Sequence, residues 1–201
     1  GKIDSAPAHC PMHSEGAVYE ATRQEYCKED VLELGRKSAL TESAGYCKWT
    51  RLEEIIQFSR MAGYTHLGLA YCVGLRKEAA EVVKIFKAAG FEIDSVMCKT
   101  GSIPKEILGI KEEEKVRPGE YEPMCNPIGQ AKLLDSAGTQ FKVLLGLCVG
   151  HDTLFLQYSK TPVTILAVKD RVLAHNPLGA IYAGHYFSRR FTAPSKGADE
   201  K

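Results

Sequence analysis

The sequence predicts an α/β fold: a three-layer, Rossmann-like open parallel sheet of about four strands, ordered 2-1-3-4, with an N-terminal helical extension. Short, nearly all-apolar runs at residues 65–72, 141–148 and 162–168 read as strands buried on both faces. Amphipathic segments alternate with them, as in βαβ units whose crossovers are right-handed. Gly63, Gly90 and Gly138 close the helical segments, and Asn126-Pro127 opens one.

The elements follow in order. Residues 17–27 and 29–41 are candidate helices. Thr50-Arg51-Leu52-Glu53 is a capping-box pattern. Behind it Leu52, Ile55, Ile56 and Met61 fall on one helical face, and Gly63 takes the C′ position. The first strand spans 65–72. A helix over 77–89 turns Ala79, Val82, Val83 and Phe86 inward, and a second strand spans 91–98. Residues 99–123 interrupt the pattern with Lys111-Glu112-Glu113-Glu114-Lys115 and Pro118-Gly119, so an exposed excursion is expected. Asn126 as cap and Pro127 at the first helical position begin a helix over 128–137. A third strand covers 141–148, a helix 151–158 and a fourth strand 162–168. Asn176-Pro177 repeats the Asn-Pro start, with Asn176 as a cap, for a last helix reaching about 187. The implied division is a helical extension packed on the core (1–62), an α/β domain (63–190) and a disordered tail (191–201).

Composition bounds the function. The 201 residues are 44% hydrophobic and 25% charged, with a formal net charge of +1. That balance gives no reason to expect a nucleic-acid partner or a membrane surface. The apolar runs are too short to span a bilayer, and no secretory segment opens the chain. A cytoplasmic protein is expected, and self-association as a homo-oligomer is compatible with the sequence. The seven cysteines are an odd count in a chain too large to need disulfide staples. Metal ligation or thiol chemistry is the better question, beside the plain alternative of small buried residues. No phosphate loop, dinucleotide fingerprint, nucleophile elbow or Cys-x-x-Cys is present.

Four cysteines converge by topology. Cys72, Cys98 and Cys148 end predicted strands, and Cys125 precedes a helix. Strand C-termini share one rim, where open parallel sheets bind ligands. Leu67–Gly74 and Leu144–Gly150 echo each other, both ending in Cys-Val-Gly. Across the switch point Cys72 and Cys148 would face each other. Helix N-termini favour thiolate, the form that binds soft metals and attacks electrophiles. The expected metal ligands are Cys72, Cys98, Cys125 and Cys148, with Cys47 and Cys10 as lesser candidates; Cys10 sits beside His9 and His13. Zinc, iron or an iron–sulfur cluster would suit them. Gly74, Arg76, Lys77 and Gly150 are candidates for holding a small anionic ligand. Lys169, Asp170 and His175 could close the site. The rival is a thiol-dependent enzyme or redox protein, with Cys148 or Cys72 as nucleophile and His151, beside Asp152, as acid/base. The plain alternative for Asp152 is a favourable charge at the helix dipole. A sensor or carrier without turnover is a third reading.

Longer motifs carry a resemblance. Gly45-Tyr46-Cys47-Lys48-Trp49-Thr50-Arg51, Ala70-Tyr71-Cys72-Val73-Gly74-Leu75-Arg76-Lys77 and Cys125-Asn126-Pro127-Ile128-Gly129-Gln130-Ala131 resemble the DUF1847 family, whose function is unknown. Gly146-Leu147-Cys148-Val149-Gly150-His151-Asp152, Val168-Lys169-Asp170-Arg171 and His175-Asn176-Pro177-Leu178 continue the likeness, which covers roughly residues 9–187. The resemblance implies a prokaryotic, often anaerobic, metal-binding protein and no reaction. It marks Cys47, Cys72, Cys98, Cys125 and Cys148 as family-like. The resemblance also implies further N-terminal cysteines, where this sequence shows only Cys10.

Overall fold

The computed structural model describes residues 6–192. It divides into two compact units, Gly1–Gly63 and Tyr64–Lys201. The first is helical: α1 (Gly16–Glu25), α2 (Glu29–Gly45) and α3 (Arg51–Met61). The capping box before α3 forms as the sequence predicts. Thr50 Oγ1 accepts from the Glu53 backbone N–H at 3.4 Å, and the Glu53 carboxylate accepts from the Thr50 N–H at 2.7 Å. Gly63, at φ 73°, is the left-handed residue just past the helix end.

The second unit carries the sheet. Its strands are β1 (His66–Tyr71), β2 (Glu92–Met97), β3 (Phe141–Leu147) and β4 (Val163–Val168). They are all parallel in the order β2-β1-β3-β4, the expected order. Helices α4 (Arg76–Ala88), α5 (Pro127–Ser136), α6 (His151–Tyr158), α7 (Leu178–Tyr182) and α8 (Gly184–Thr192) follow the strands. Asn126 caps α5 as predicted, its Oδ1 accepting from the Gly129 N–H at 2.8 Å.

The two central strands explain their apolar runs. Every residue of β3 is buried, as are Leu67, Gly68, Leu69 and Ala70 of β1. Gly68 has no Cβ because Thr139, Leu134 and Lys142 lie where one would point, at 3.0–3.2 Å. The core centres on Ala70, Ala131, Leu134, Leu144, Leu147 and Phe155, with Cys72 and Cys98 at its rim end. Burying a side chain such as Phe155 contributes about 1.5–3 kcal/mol. Strand β3 also carries one charge into the interior. Lys142 is fully buried, and its ammonium donates to the Asp135 carboxylate and, at 2.8 Å each, to Ser159 and Thr161.

Three expectations need correction. The charge run in the 99–123 excursion is not simply solvated. Lys115 is buried, bonded to Glu106 and Glu112 at 2.7 Å each, and Pro104 and Pro123 bridge the two legs. The single last helix is two, α7 and α8, broken at Ala183. Asn176 offers no side-chain cap: α7 begins after Pro177, and Ala174 and His175 before it take positive φ of 50° and 66°. The expected tail from 193 onward lies outside the described residues, while Phe191 and Thr192 complete α8. Among the described residues no helix is long and apolar enough to cross a membrane.

Candidate functional site

The C-terminal rim of the sheet collects thiols and cations. Tyr71 on β1 pairs with Met97 on β2, so the next residues, Cys72 and Cys98, sit across from each other in parallel register. The Cys98 N–H donates to the Tyr71 carbonyl at 2.9 Å. On its other side β1 runs beside β3, where Tyr71 pairs with Leu145. The register therefore puts Cys98, and not Cys148, directly across from Cys72. Buried Gln130 on α5 ties the two strand ends, its Nε2 donating to the carbonyls of Tyr71 (3.2 Å) and Val96 (2.7 Å). Cys125 arrives from the loop before α5, because the Asn126 N–H donates to the Cys98 carbonyl at 2.7 Å.

Cys72 and Cys98 share one buried cluster, Cys125 packs against it, and Cys98 is the common neighbour of the other two. The Val73 N–H donates to Cys98 Sγ at 3.3 Å. Cys98 is the most buried of the three and keeps its proton, which favours charge on the other two. Cys72 is pulled down to about 5, by Cys98 first, then by the Gly74 N–H and Lys169, against the effect of burial. Cys125 is pulled down to about 4, by Cys98 first, then by His151, with Lys99 adding its charge. Cys98 is pushed well above the usual thiol range by its two sulfur neighbours and by burial. His151, at the start of α6, is raised by its bond to Cys125.

Cations complete the rim. Lys169 follows β4, and its ammonium lies 3.7 Å and 3.6 Å from the points where Cβ atoms on Gly74 and Gly146 would stand. Gly146 (φ 65°) bends the end of β3, where the pairing with β4 shifts register. Arg171 donates to Cys148 Sγ at 3.3 Å. Lys99, the residue after Cys98, donates to the Pro123 carbonyl and brings positive charge to Cys125. Beside them Asp170 organises its own loop, accepting from the N–H groups of Val172 (2.9 Å) and Leu173 (2.8 Å), while its N–H donates to His175 Nδ1 at 3.1 Å.

The predicted site residues sort as follows. Cys72, Cys98, Cys125 and His151 come together. Cys148 joins them on the rim but with Arg171 as its partner, so His151 serves Cys125 rather than Cys148 or Cys72. Asp152 accepts from the Thr153 N–H at 2.8 Å and adds a charge that favours protonated His151. Gly74 and Gly150 sit in the two Cys-Val-Gly turns, and Arg76 and Lys77 are exposed at the start of α4. Cys10 and Cys47 belong to the first unit, Cys47 exposed at a positive φ of 54°. Sequence reasoning missed Lys99 and Arg171 as thiol partners and Gln130 as the tie between strands. Their places just after predicted strand ends were the available signal for the two cations.

Comparison with known proteins agrees with these motifs. The pattern of the family described as "Protein of unknown function (DUF1847)" matches residues 10–166. An uncharacterized protein of Methanocaldococcus jannaschii, MJ0455, is 47% identical over 166 residues, which is 83% of this chain and 84% of that relative. No solved structure matches the chain. The protein whose rim holds these thiols is a member of the DUF1847 family.

Proposed function

We propose that this is a reactive-thiol protein, with Cys125 as the attacking thiolate, His151 as its proton partner and a small anionic, soft electrophile as substrate. The observation that carries the reading is the setting of Cys125: half-buried, bonded to the Cys98 thiol on one side and to His151 on the other. A thiolate held this way is a nucleophile at neutral pH. Lys99, Lys169 and Arg171 supply positive charge for an anionic substrate. A reducing, cytoplasmic compartment suits seven free thiols. The test is mass-spectrometric mapping of alkylation at pH 6 on reduced protein. Cys125 takes the label first; a Cys125 that stays unlabelled while exposed Cys27 and Cys47 react overturns the reading.

A second reading, ligation of zinc or iron, has its own support. Cys72, Cys98, Cys125 and His151 supply three sulfurs and a nitrogen in one chain of contacts, a donor set suited to soft metals. The chemistry of the donors fits; among the described residues no three His, Cys, Asp or Glu side chains already stand grouped around a point that could hold an ion. Ligation would require the outer thiolates to close around Cys98 and Cys98 to lose its proton. Cys148, held by Arg171, would stand outside that set. Metal analysis of anaerobically purified protein decides. Stoichiometric metal lost in Cys98→Ser establishes ligation and displaces the thiol reading.

A further inference from the structure

We propose that Cys125, Cys98 and Cys72 form a two-stage thiol–disulfide relay, which takes up a small-molecule disulfide at Cys125 and stores its oxidising equivalent as a buried Cys72–Cys98 bond. The inference rests on the reactive-thiol reading and adds a substrate class and a destination.

The geometry supports both stages. Exposure singles out one sulfur: Cys125 is half-buried, while Cys72 is 8% exposed and Cys98 2% exposed. A substrate therefore meets Cys125 first. Cys98 and Cys72 lie in one buried cluster with Cys125 packed against it, and Cys98 can bond to only one of them at a time. Cys72 and Cys98 lie across adjacent parallel strands in register. Neighbouring strands are about 4.8 Å apart, within the roughly 4.4–6.8 Å between Cα atoms that a disulfide needs. The Asn126–Cys98 backbone bond holds Cys125 close enough for the first stage. Gln130 clamps both strand ends, so the second stage needs no movement of the sheet.

The chemistry balances in three exchanges. The Cys125 thiolate attacks one sulfur of R–S–S–R, and the departing thiolate takes a proton from His151. Cys98 passes its proton to the Cys72 thiolate and attacks the Cys125 sulfur, expelling the second R–S⁻, which water protonates. The sum is one disulfide and two protein thiols giving a Cys98–Cys125 disulfide and two R–SH. Cys72, its proton returned to solvent, then attacks the Cys98 sulfur and frees Cys125 as thiolate, with no net change of oxidation state. Lys169 Nζ and Cys72 Sγ stand 3.7 Å and 3.8 Å from the point where a Cβ on Gly74 would lie, so the ammonium is placed beside the sulfur that makes the last attack.

The experiment is a time course on the full, anaerobically reduced chain. Dithionitrobenzoate, an anionic aromatic disulfide, is added; samples are acid-quenched, alkylated and mapped for disulfides by mass spectrometry. The relay gives a Cys98–Cys125 bond that rises and then yields to Cys72–Cys98. Cys72→Ser stops at Cys98–Cys125, and Cys98→Ser traps the reagent on Cys125. Cys125→Ser slows the appearance of a rim disulfide at least about tenfold. A Cys98–Cys125 bond that persists in the wild type without giving way to Cys72–Cys98 overturns the relay and leaves the reactive thiol standing. Absence of any adduct or disulfide at Cys125 overturns both.

Discussion

The reactivity of Cys125 across pH is the sharpest consequence of its surroundings. An ordinary thiol near 9 is about 0.1% thiolate at pH 6 and about 9% at pH 8, so its alkylation rate climbs roughly 90-fold over that interval. Cys125, held at about 4, is already almost wholly ionised at pH 6. Its rate should therefore change by less than about twofold between the same two values. Limited access at a half-buried sulfur lowers both rates alike and cancels from the ratio. The absolute rate also follows. A thiolate some five units less basic is about 100–300-fold less nucleophilic at a slope of 0.4–0.5. Against this, its ionised fraction is roughly 1000-fold greater at pH 6 and only about tenfold greater at pH 8. Before access is counted, Cys125 should outrun a reference peptide thiol by about 3–10-fold at pH 6 and trail it by about 10–30-fold at pH 8. Iodoacetamide labelling, read peptide by peptide, measures both quantities. Cys98→Ala removes the largest cause of the depression and should restore a rise with pH. A Cys125 rate that climbs with the slope of an ordinary thiol in the wild type refutes the proton-sharing account.

Three further outcomes follow from packing and charge. Cys125→Ser removes the main support of the His151 imidazolium, so the titration midpoint of that ring, followed by NMR, should fall toward the usual value of about 6.5; an unchanged midpoint separates the two residues. Gly146→Ala places a Cβ 2.2 Å from Leu75 Cδ1 at a φ of 65°, and strain of about 1–2 kcal/mol plus repacking of about 1–3 kcal/mol should lower the melting temperature by roughly 4–20 °C. Gly74→Ala, whose Cβ would stand in ordinary contact at 3.7 Å, should melt close to wild type, and equal effects from the two would discount the bend in β3. Asp135→Ala strands the buried Lys142 ammonium at a cost of about 3–5 kcal/mol, and should therefore be more damaging in thermal melts than Lys142→Met, which removes the charge itself; the reverse order would deny the pair its role.

The strand order was legible because burial on both faces leaves a continuous apolar run, and because crossover handedness removes most alternatives. The capping box at Thr50 and the Asn126 cap were legible for a related reason: each is a local bond between residues three apart. Asn176-Pro177 has the same spelling as Asn126-Pro127, yet its cap fails. Ala174 and His175 enter left-handed conformations just before it, and a neighbour's φ is not written in a dipeptide. The site was legible as a rim and not as a set of contacts. Which thiol meets which depends on a register fixed by β1 lying between β2 and β3, and on cations that come from two strand ends: Lys99 after β2, and Lys169 and Arg171 after β4.

The repeated Cys-Val-Gly shows how one spelling serves two purposes. In both copies the cysteine carbonyl accepts from the N–H three residues on: Leu75 for Cys72 at 2.8 Å, and His151 for Cys148 at 3.0 Å. The third residue differs. Gly150 takes a φ of 83°, a conformation that favours glycine, while Gly74 continues as one turn of 3-10 helix straight into α4. At Gly74 a Cβ would stand in ordinary contact, 3.7 Å from Lys169 Nζ and 3.8 Å from Cys72 Sγ, so cation and thiol come together beside it. The first copy thus admits a cation to a buried thiolate. The second turns the chain sharply enough for α6 to begin with His151 against Cys125. A duplication of turn chemistry therefore does not produce a symmetric pair of cysteines. It produces one thiol bonded within the sheet, Cys72, and one turned to a guanidinium, Cys148, with the reactive position passed to Cys125, which belongs to neither copy.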